Sequence, residues 1–187
     1  PLYDPMLASN RWGDAGFIDY AWPHMLDAWG GRLYVSSGTM KDPRDPIAFP
    51  NGVSFNIWDG TRSTNWPAPR LTYTTIGITD IEATSNGVYV CGTDFSVIPD
   101  IVTNGYTNSL KIARYFGTNW YGLAGGITDT SSLPNQILTA GSVHAVKVAP
   151  NGDVYAAGRF NMACSNGIAR NIARFDGTNW LALGGGL

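Results

Sequence analysis

The most constraining feature of this sequence is a unit that occurs three times along the chain. Each copy has a turn of Gly-Gly or Asn-Gly, a short apolar run centred on tyrosine, and a later Asn-Trp pair. The turns stand at residues 30–31, 86–87 and 151–152, and the Asn-Trp pairs at 65–66, 119–120 and 179–180. The copies therefore lie roughly 54 to 65 residues apart, a spacing typical of propeller blades rather than helical repeats.

The composition favours strands over helices. Charged residues make up only 14% of the 187 residues, against about one quarter in an average protein. Lysine occurs at positions 41, 111 and 147 and glutamate only at Glu82, so the residues that cover exposed helix faces are scarce. Gly, Asn, Thr, Val and aromatic residues take their place, as in strands and tight turns. The sequence predicts an all-β chain.

The charge pattern argues against two classes of partner. The net charge of -2 provides no basic face for nucleic acid and no polybasic cluster for an anionic membrane surface. No apolar run approaches the roughly 20 residues of a membrane-spanning helix.

The chain begins with Pro1, which suggests processing or excision from something longer. The lysine-poor composition suggests an extracellular, cell-surface or virion-associated protein. The lack of any Asn-x-Ser/Thr site favours a prokaryotic or viral source.

Each copy divides into four short strands, A to D. The Asn-Gly and Gly-Gly turns predict two-residue hairpins between A and B. Strand D follows the Asn-Trp pair, and Pro67 and Pro69 are tolerable there on an outer edge. Four antiparallel strands per copy predict β-propeller blades, about three in this chain. The expected division is an N-terminal segment, 1–19, that forms an outer strand of a preceding blade, and blades at 20–72, 73–127 and 128–187.

Long connections predict the working face. The B–C connections are expected at 37–53, 93–109 and 159–170 and one D–A connection at 125–142, and long loops are usually retained for function. Calcium is the metal that acidic loop residues would suit. The Asp-x-Asp-x-Asp-Gly spacing of a calcium loop is missing, however, so no metal or cofactor is predicted. The candidate ligand or partner residues are Asp42, Asp45, Phe49, Asp94, Phe95, Asp100, Tyr106 and Asp129.

Residues at repeated positions are predicted to be framework rather than ligand contacts. A large ring that recurs in every copy buries area between neighbouring blades, and an indole N–H finds a carbonyl there. The arginines of strand C are expected to bond to turns or neighbouring blades. The predicted framework residues are Trp58, Trp66, Arg114, Tyr115, Trp120, Arg174, Phe175 and Trp180.

Catalytic signatures are missing, so the chain is predicted not to be an enzyme. Neither His-Glu-x-x-His nor Gly-x-Ser-x-Gly occurs. His144 is expected to pack in strand A, with His24 at no equivalent position. Cys91 is expected to be a buried strand residue; a Cys91–Cys164 bridge stays open, and without a Cys-x-x-Cys pair neither zinc nor redox chemistry is indicated.

Residues 171–184, Asn-Ile-Ala-Arg-Phe-Asp-Gly-Thr-Asn-Trp-Leu-Ala-Leu-Gly, resemble the repeat of bacterial secreted and surface β-propellers. That repeat reads Ile-Ala-Arg-aromatic-Asp-Gly-x-x-Trp-x-x-Leu-Gly. The resemblance extends over about residues 20–187, with Phe116 in place of the turn aspartate in the second copy and a weaker match in the first. It implies a kelch-like or galactose-oxidase-like propeller architecture without galactose oxidase chemistry, and it carries no catalytic residues across. Three blades cannot close a ring, so other segments or subunits are expected to complete it.

The function expected from these features is a non-catalytic extracellular or surface module. It would bind protein or glycan through the long loops, without nucleic acid and without membrane insertion. Three alternatives stay open: a propeller lectin, a non-catalytic part of a larger propeller enzyme, and a structural protein of a virion or filament.

Overall fold

The computed structural model describes residues 21–39, 53–61, 63–65, 70–71, 77–101, 105, 108–129, 141–164 and 166–187. Within these ranges the regular structure is entirely β-strand, which confirms the all-β prediction, and no helix there could span a bilayer. The strands are β1 (Ala21–Trp29), β2 (Arg32–Thr39), β3 (Val53–Trp58), β4 (Ser63–Asn65), β5 (Arg70–Leu71), β6 (Gly77–Thr84), β7 (Gly87–Ile98), β8 (Ser109–Phe116), β9 (Asn119–Gly122), β10 (Ser142–Val148), β11 (Val154–Cys164), β12 (Gly167–Phe175) and β13 (Trp180–Ala182).

The strands form three antiparallel sheets that follow one another along the chain. Sheet 1 has the order β1-β2-β3-β4 and sheet 3 the order β10-β11-β12-β13. Sheet 2 has the order β5-β7-β8-β9, with β6 also paired to β7. The short β5 lies within residues 20–72, the predicted first unit, yet it pairs with the far end of β7 through Arg70–Ile98 and Leu71–Val97.

The first hairpins differ in length between the sheets. In sheet 1, Gly30 and Gly31 have φ of 59° and 74° and form the predicted two-residue turn. In sheet 2, Thr84 pairs with Gly87, so the turn lies one residue earlier than predicted. In sheet 3 the two-residue prediction is wrong: the Ala149 N–H donates to the Asp153 carbonyl at 2.8 Å, leaving a three-residue loop at 150–152.

Two predicted B–C loops are partly paired strands. At residues 93–109, β7 continues to Ile98 and its end pairs with β8. At residues 159–170, β11 pairs with β12 from Asn161–Arg170 to Cys164–Gly167. In both cases the register shifts once and the ladder then resumes. The irregularity takes up unpaired residues as a bulge does. Because it interrupts the alternation of polar and apolar residues, the sequence predicted loops there.

Sheet 2 lies between the other two sheets and packs with both faces. Because strand side chains alternate, neighbouring residues of β7 point to opposite sides. Val88 and Val90 belong to a cluster that reaches Met25, Tyr34 and Ile57 of sheet 1. On the other side, the cluster shared with sheet 3 includes Tyr89, Cys91 and Ile112 of sheet 2 and Val146, Val154, Phe160 and Trp180 of sheet 3.

The leading strands of the three sheets lie side by side: β1 contacts β6, and β6 contacts β10. Each carries a register shift at the same place, where His24, Thr79 and His144 are skipped in the pairing. The two histidines are therefore structurally equivalent, contrary to the sequence alignment. In sheet 2 this position is a threonine, and Thr79 Oγ1 donates to the Val143 carbonyl of sheet 3 at 2.5 Å.

Carboxylates join these leading strands. Asp27 Oδ2 accepts the Ala83 N–H at 2.7 Å, and Asp80 Oδ2 accepts the Val146 N–H at 2.9 Å. Lys147 Nζ lies 2.6 Å from Glu82 Oε2. A strand edge without a backbone partner needs another acceptor for its N–H groups, and here the neighbouring sheet supplies it.

Candidate functional site

The structure describes four of the eight predicted loop candidates: Asp94, Phe95, Asp100 and Asp129. Asp94 and Phe95 lie in β7, so their expected placement in a loop is wrong. No set of three His, Cys, Asp or Glu residues within the described ranges is placed to hold a metal ion. The candidates Asp42, Asp45, Phe49 and Tyr106 and the framework residue Trp66 lie outside the described residues.

The two remaining acids hold the fold. Asp100 directly follows β7; its Oδ2 accepts the Trp120 N–H at 2.8 Å, and its own N–H donates to the Trp120 carbonyl at 2.9 Å. Asp129 is buried. Asp100 is exposed, and it bonds to the backbone at the edge of β9.

The framework aromatic residues form one ring pair in sheet 2 and one in sheet 3. The Tyr115 and Trp120 ring centroids are 5.3 Å apart, and those of Phe175 and Trp180 are also 5.3 Å apart. Trp180 Nε1 donates to the Leu123 carbonyl at 2.8 Å, which joins sheet 3 to sheet 2. In sheet 1, Trp58 holds the position of Tyr115 and Phe175 and is half-buried.

A Ser–His contact on β10 has the distance of a nucleophile and base. Ser142 Oγ lies 2.7 Å from Nε2 of the exposed His144. A working pair also needs a third group that orients the imidazole. Among the described residues no carboxylate bonds to His144. The contact joins two residues of one strand across its bulge, and no activated serine follows from it.

A groove lies between sheets 2 and 3 in the described residues, and we call it the inter-sheet groove. It has a volume of about 220 Å³. Its rim carries the turns at Asn86, Gly152 and Gly177, and its walls include Tyr89, Arg114, Tyr121, Val154 and Phe175. It therefore opens beside the tight turns, at a different edge from the predicted loop face.

Arg114 supplies the charge of the inter-sheet groove. Its guanidinium carbon lies 4.7 Å from the centroid of the Tyr121 ring and 5.8 Å from that of Phe116. Such stacking fixes the plane of a guanidinium while leaving its N–H groups available. Within the described part of the chain no carboxylate pairs with it, and none of the groove residues is acidic.

The equivalent arginine of sheet 3 is engaged differently. Arg174 Nη1 lies 3.3 Å from Asp153 Oδ2. Because Tyr89 pairs with Arg114 as Tyr155 pairs with Arg174, the position of Asp153 corresponds to Gly87. Gly87 has a φ of 118°, and a Cβ there would stand 2.5 Å from the Tyr115 carbonyl oxygen. No side chain, and hence no acid, fits at position 87, which corresponds to Asp153.

Sequence reasoning missed this groove although one signal was present. Both strand C segments carry an arginine, but only the third copy places an aspartate before its Val-Tyr pair. The alignment of Asn86-Gly87 with Asn151-Gly152 hid the difference, because the third hairpin is one residue longer.

Comparison with protein-family models, with curated proteins and with solved structures finds no match to this chain.

Proposed function

We propose that this chain supplies three consecutive blades of a β-propeller and works as a non-catalytic structural module that assembles with further blades. The support is the repeated use of equivalent faces. Sheet 2 turns the face of Ile81 and Val88 towards sheet 1, and sheet 3 turns the equivalent face of Val146 and Val154 towards sheet 2. Successive blades of a propeller pack in this repeating manner.

The observation that carries the proposal is an apolar residue of sheet 3, Leu187, that no sheet among the described residues covers. Ile127 and Leu187 are equivalent, since their N–H groups donate to the carbonyls of Leu110 and Arg170. Ile127 is 0% exposed under sheet 3, whereas Leu187 is 81% exposed. The face of sheet 3 thus repeats the face of sheet 2 that sheet 3 covers.

Sheet 1 provides the complementary half. Leu26 occupies the position of Ile81 and Val146, next to the same bulge. Leu26 is 61% exposed, against 4% for Ile81 and 2% for Val146. A depression of about 350 Å³ on this sheet is lined by Ala28 and Leu33 among others.

The occupant we propose for the face of sheet 3 is sheet 1 of a second copy. Leu187 and Leu26 are exposed, whereas their equivalents are buried where two sheets of one chain meet; Val35, which pairs with Leu26, is 1% exposed. Such a head-to-tail contact is heterologous, and it forms a closed ring when the rotation per copy divides a full turn. Two copies would bring six sheets together, within the four to eight blades of known propellers.

Native mass tests the assembly. Sedimentation of the chain is expected to give a particle of at least twice 20.1 kDa. Leu187→Asp and Leu26→Asp should each reduce it to a single chain, because each buries a charge in the interface. Ile101→Asp is the control. Ile101 is 39% exposed, and it lies beside Tyr121 of sheet 2 rather than on the face of sheet 1 or sheet 3.

A single chain at every concentration would overturn assembly between copies. Equal dissociation of all three variants would also overturn it, because Leu187 and Leu26 would then matter no more to the assembly than the control residue Ile101.

The proposal includes a place outside the cell or on a particle surface, which the lysine-poor, Gly-rich composition supports. Antibody labelling of intact cells or particles is the test. Labelling only after lysis would contradict that location.

A further inference from the structure

We infer that the inter-sheet groove binds one carboxylate-bearing sugar unit, with Arg114 as the carboxylate-binding residue. This site does not depend on assembly with another copy, because both of its walls belong to sheets 2 and 3 of one chain. It also differs from the loop face that the sequence suggested for ligands.

The charge of the groove selects an anion. Arg114 is oriented by the rings of Tyr121 and Phe116, and its guanidinium has no acid partner among the described residues. A guanidinium binds a carboxylate through two parallel N–H bonds. Since no acid fits at position 87, a ligand carboxylate would take the place that Asp153 fills for Arg174 in sheet 3.

The size of the groove selects a sugar rather than a bare carboxylate. Its volume of about 220 Å³ is smaller than the roughly 300 to 1,000 Å³ of sites for drug-sized ligands. One six-membered sugar ring suits that space, whereas an acetate-sized group would leave much of it to water.

The lining suits hydroxyl groups on an apolar ring. Tyr89 and Asn86 bring a phenol and an amide, and Phe175 brings an aromatic surface. A Cβ added to Gly152 would lie 3.9 Å from Asn86 Nδ2, so this amide stands at the opening between the two sheets. A few polar groups set in an apolar surface are what orient a small ligand.

The experiment is an amide NMR titration of the chain with three probes: D-glucuronate, D-glucose and acetate. Glucuronate is expected to shift amides around Asn86, Gly122 and Gly177, and to bind more tightly than either control probe. Arg114→Gln should weaken glucuronate binding at least tenfold, which is about 1.4 kcal/mol. Arg159→Gln removes the same charge from an exposed residue outside the groove and should leave the affinity unchanged.

A second variant keeps the test decisive if Arg114→Gln fails to fold. Asn86→Ala alters an exposed turn residue and should weaken glucuronate binding without changing acetate binding. If glucose bound as tightly as glucuronate, Arg114 would not be the residue that selects the ligand. Equal affinity for acetate would remove the sugar, and absence of shifts with glucuronate at millimolar concentration would overturn the site altogether. All of these readouts are independent of the particle mass.

Discussion

Single carboxylates connect the sheets at the residue scale. Asp27 and Asp80 each accept the N–H of the following residue with one oxygen, at 2.8 and 3.0 Å, and an N–H of the neighbouring sheet with the other. One side chain thereby fixes its own strand and satisfies a donor that has no ladder partner. The acceptors of Ala83 and Val146 lie 56 and 66 residues away in sequence, so no local pattern reveals them.

Cys91 gives a pH-dependent prediction at the same scale. Burial raises the pKa of its thiol from 9.0 to about 12. Below pH 9 the thiol is protonated in both states; above it the unfolded chain ionises first, so the free energy of unfolding falls as pH rises towards about 12. Cys91→Ala, the residue that sheet 3 has at Ala157, should show a smaller loss between pH 9 and 11 in urea titrations.

Alkylation separates the two cysteines, and both are free in the structure. Burial also raises the pKa of Cys164, which is only half-buried. Because the thiolate is the reacting species, iodoacetamide should label Cys164 before Cys91 in the native protein. Labelling of Cys91 at the rate of the unfolded chain would contradict this burial.

At the scale of elements, the turns that follow the last strands of sheets 2 and 3 have the same hydrogen-bond pattern. The Gly126 N–H donates to the Leu123 carbonyl at 2.8 Å, and the Gly186 N–H to the Leu183 carbonyl at 3.1 Å. The next residue then bonds back to the strand before, at Leu110 or Arg170. The turn directs Ile127 under the neighbouring sheet, so it links local backbone geometry to packing.

Gly126→Ala tests this turn. Gly126 has a φ of 78°, and an added Cβ would collide with the Leu110 backbone. We expect a loss of about 3 kcal/mol or more, since the left-handed conformation alone costs roughly 1 to 2 kcal/mol. The matched control is Gly117→Ala, with a φ of 65° and open space around the Cβ. Equal losses of free energy of unfolding in the two variants would show that the close approach to Leu110 is unimportant.

At the scale of the whole molecule, stability depends on how sheets 2 and 3 hold each other. Their shared cluster contains residues of both sheets, and Trp180 adds a directed bond to the Leu123 carbonyl. The exposed ion pair of Lys147 and Glu82 contributes little by comparison, because solvent screens the lysine, whose side chain is 77% exposed.

Trp180→Phe removes that bond and keeps an aromatic ring. We expect the free energy of unfolding to fall by about 1 kcal/mol or more, because the Leu123 carbonyl keeps the Gly126 N–H but loses the indole donor, and the smaller ring leaves unfilled space in the core. Trp29→Phe is the control: Trp29 is 49% exposed, and surface changes usually stay within about 0.5 kcal/mol. Equal losses in urea titrations would mean that the indole N–H has no part in joining the sheets.

The sequence by itself determined the β class and the antiparallel pairing of neighbouring strands. These features depend on residues close together in the chain, on alternation and on turns that accept positive φ.

Only the tertiary structure decided which carboxylate reaches which sheet, where β7 and β11 continue as paired strands, and why Arg114 lacks the acid that Arg174 has. Each depends on contacts between segments that are distant in sequence, where one extra residue in a hairpin changes which positions face each other. The period of two makes strands predictable locally, but a shift of a single residue reassigns every side chain across an interface.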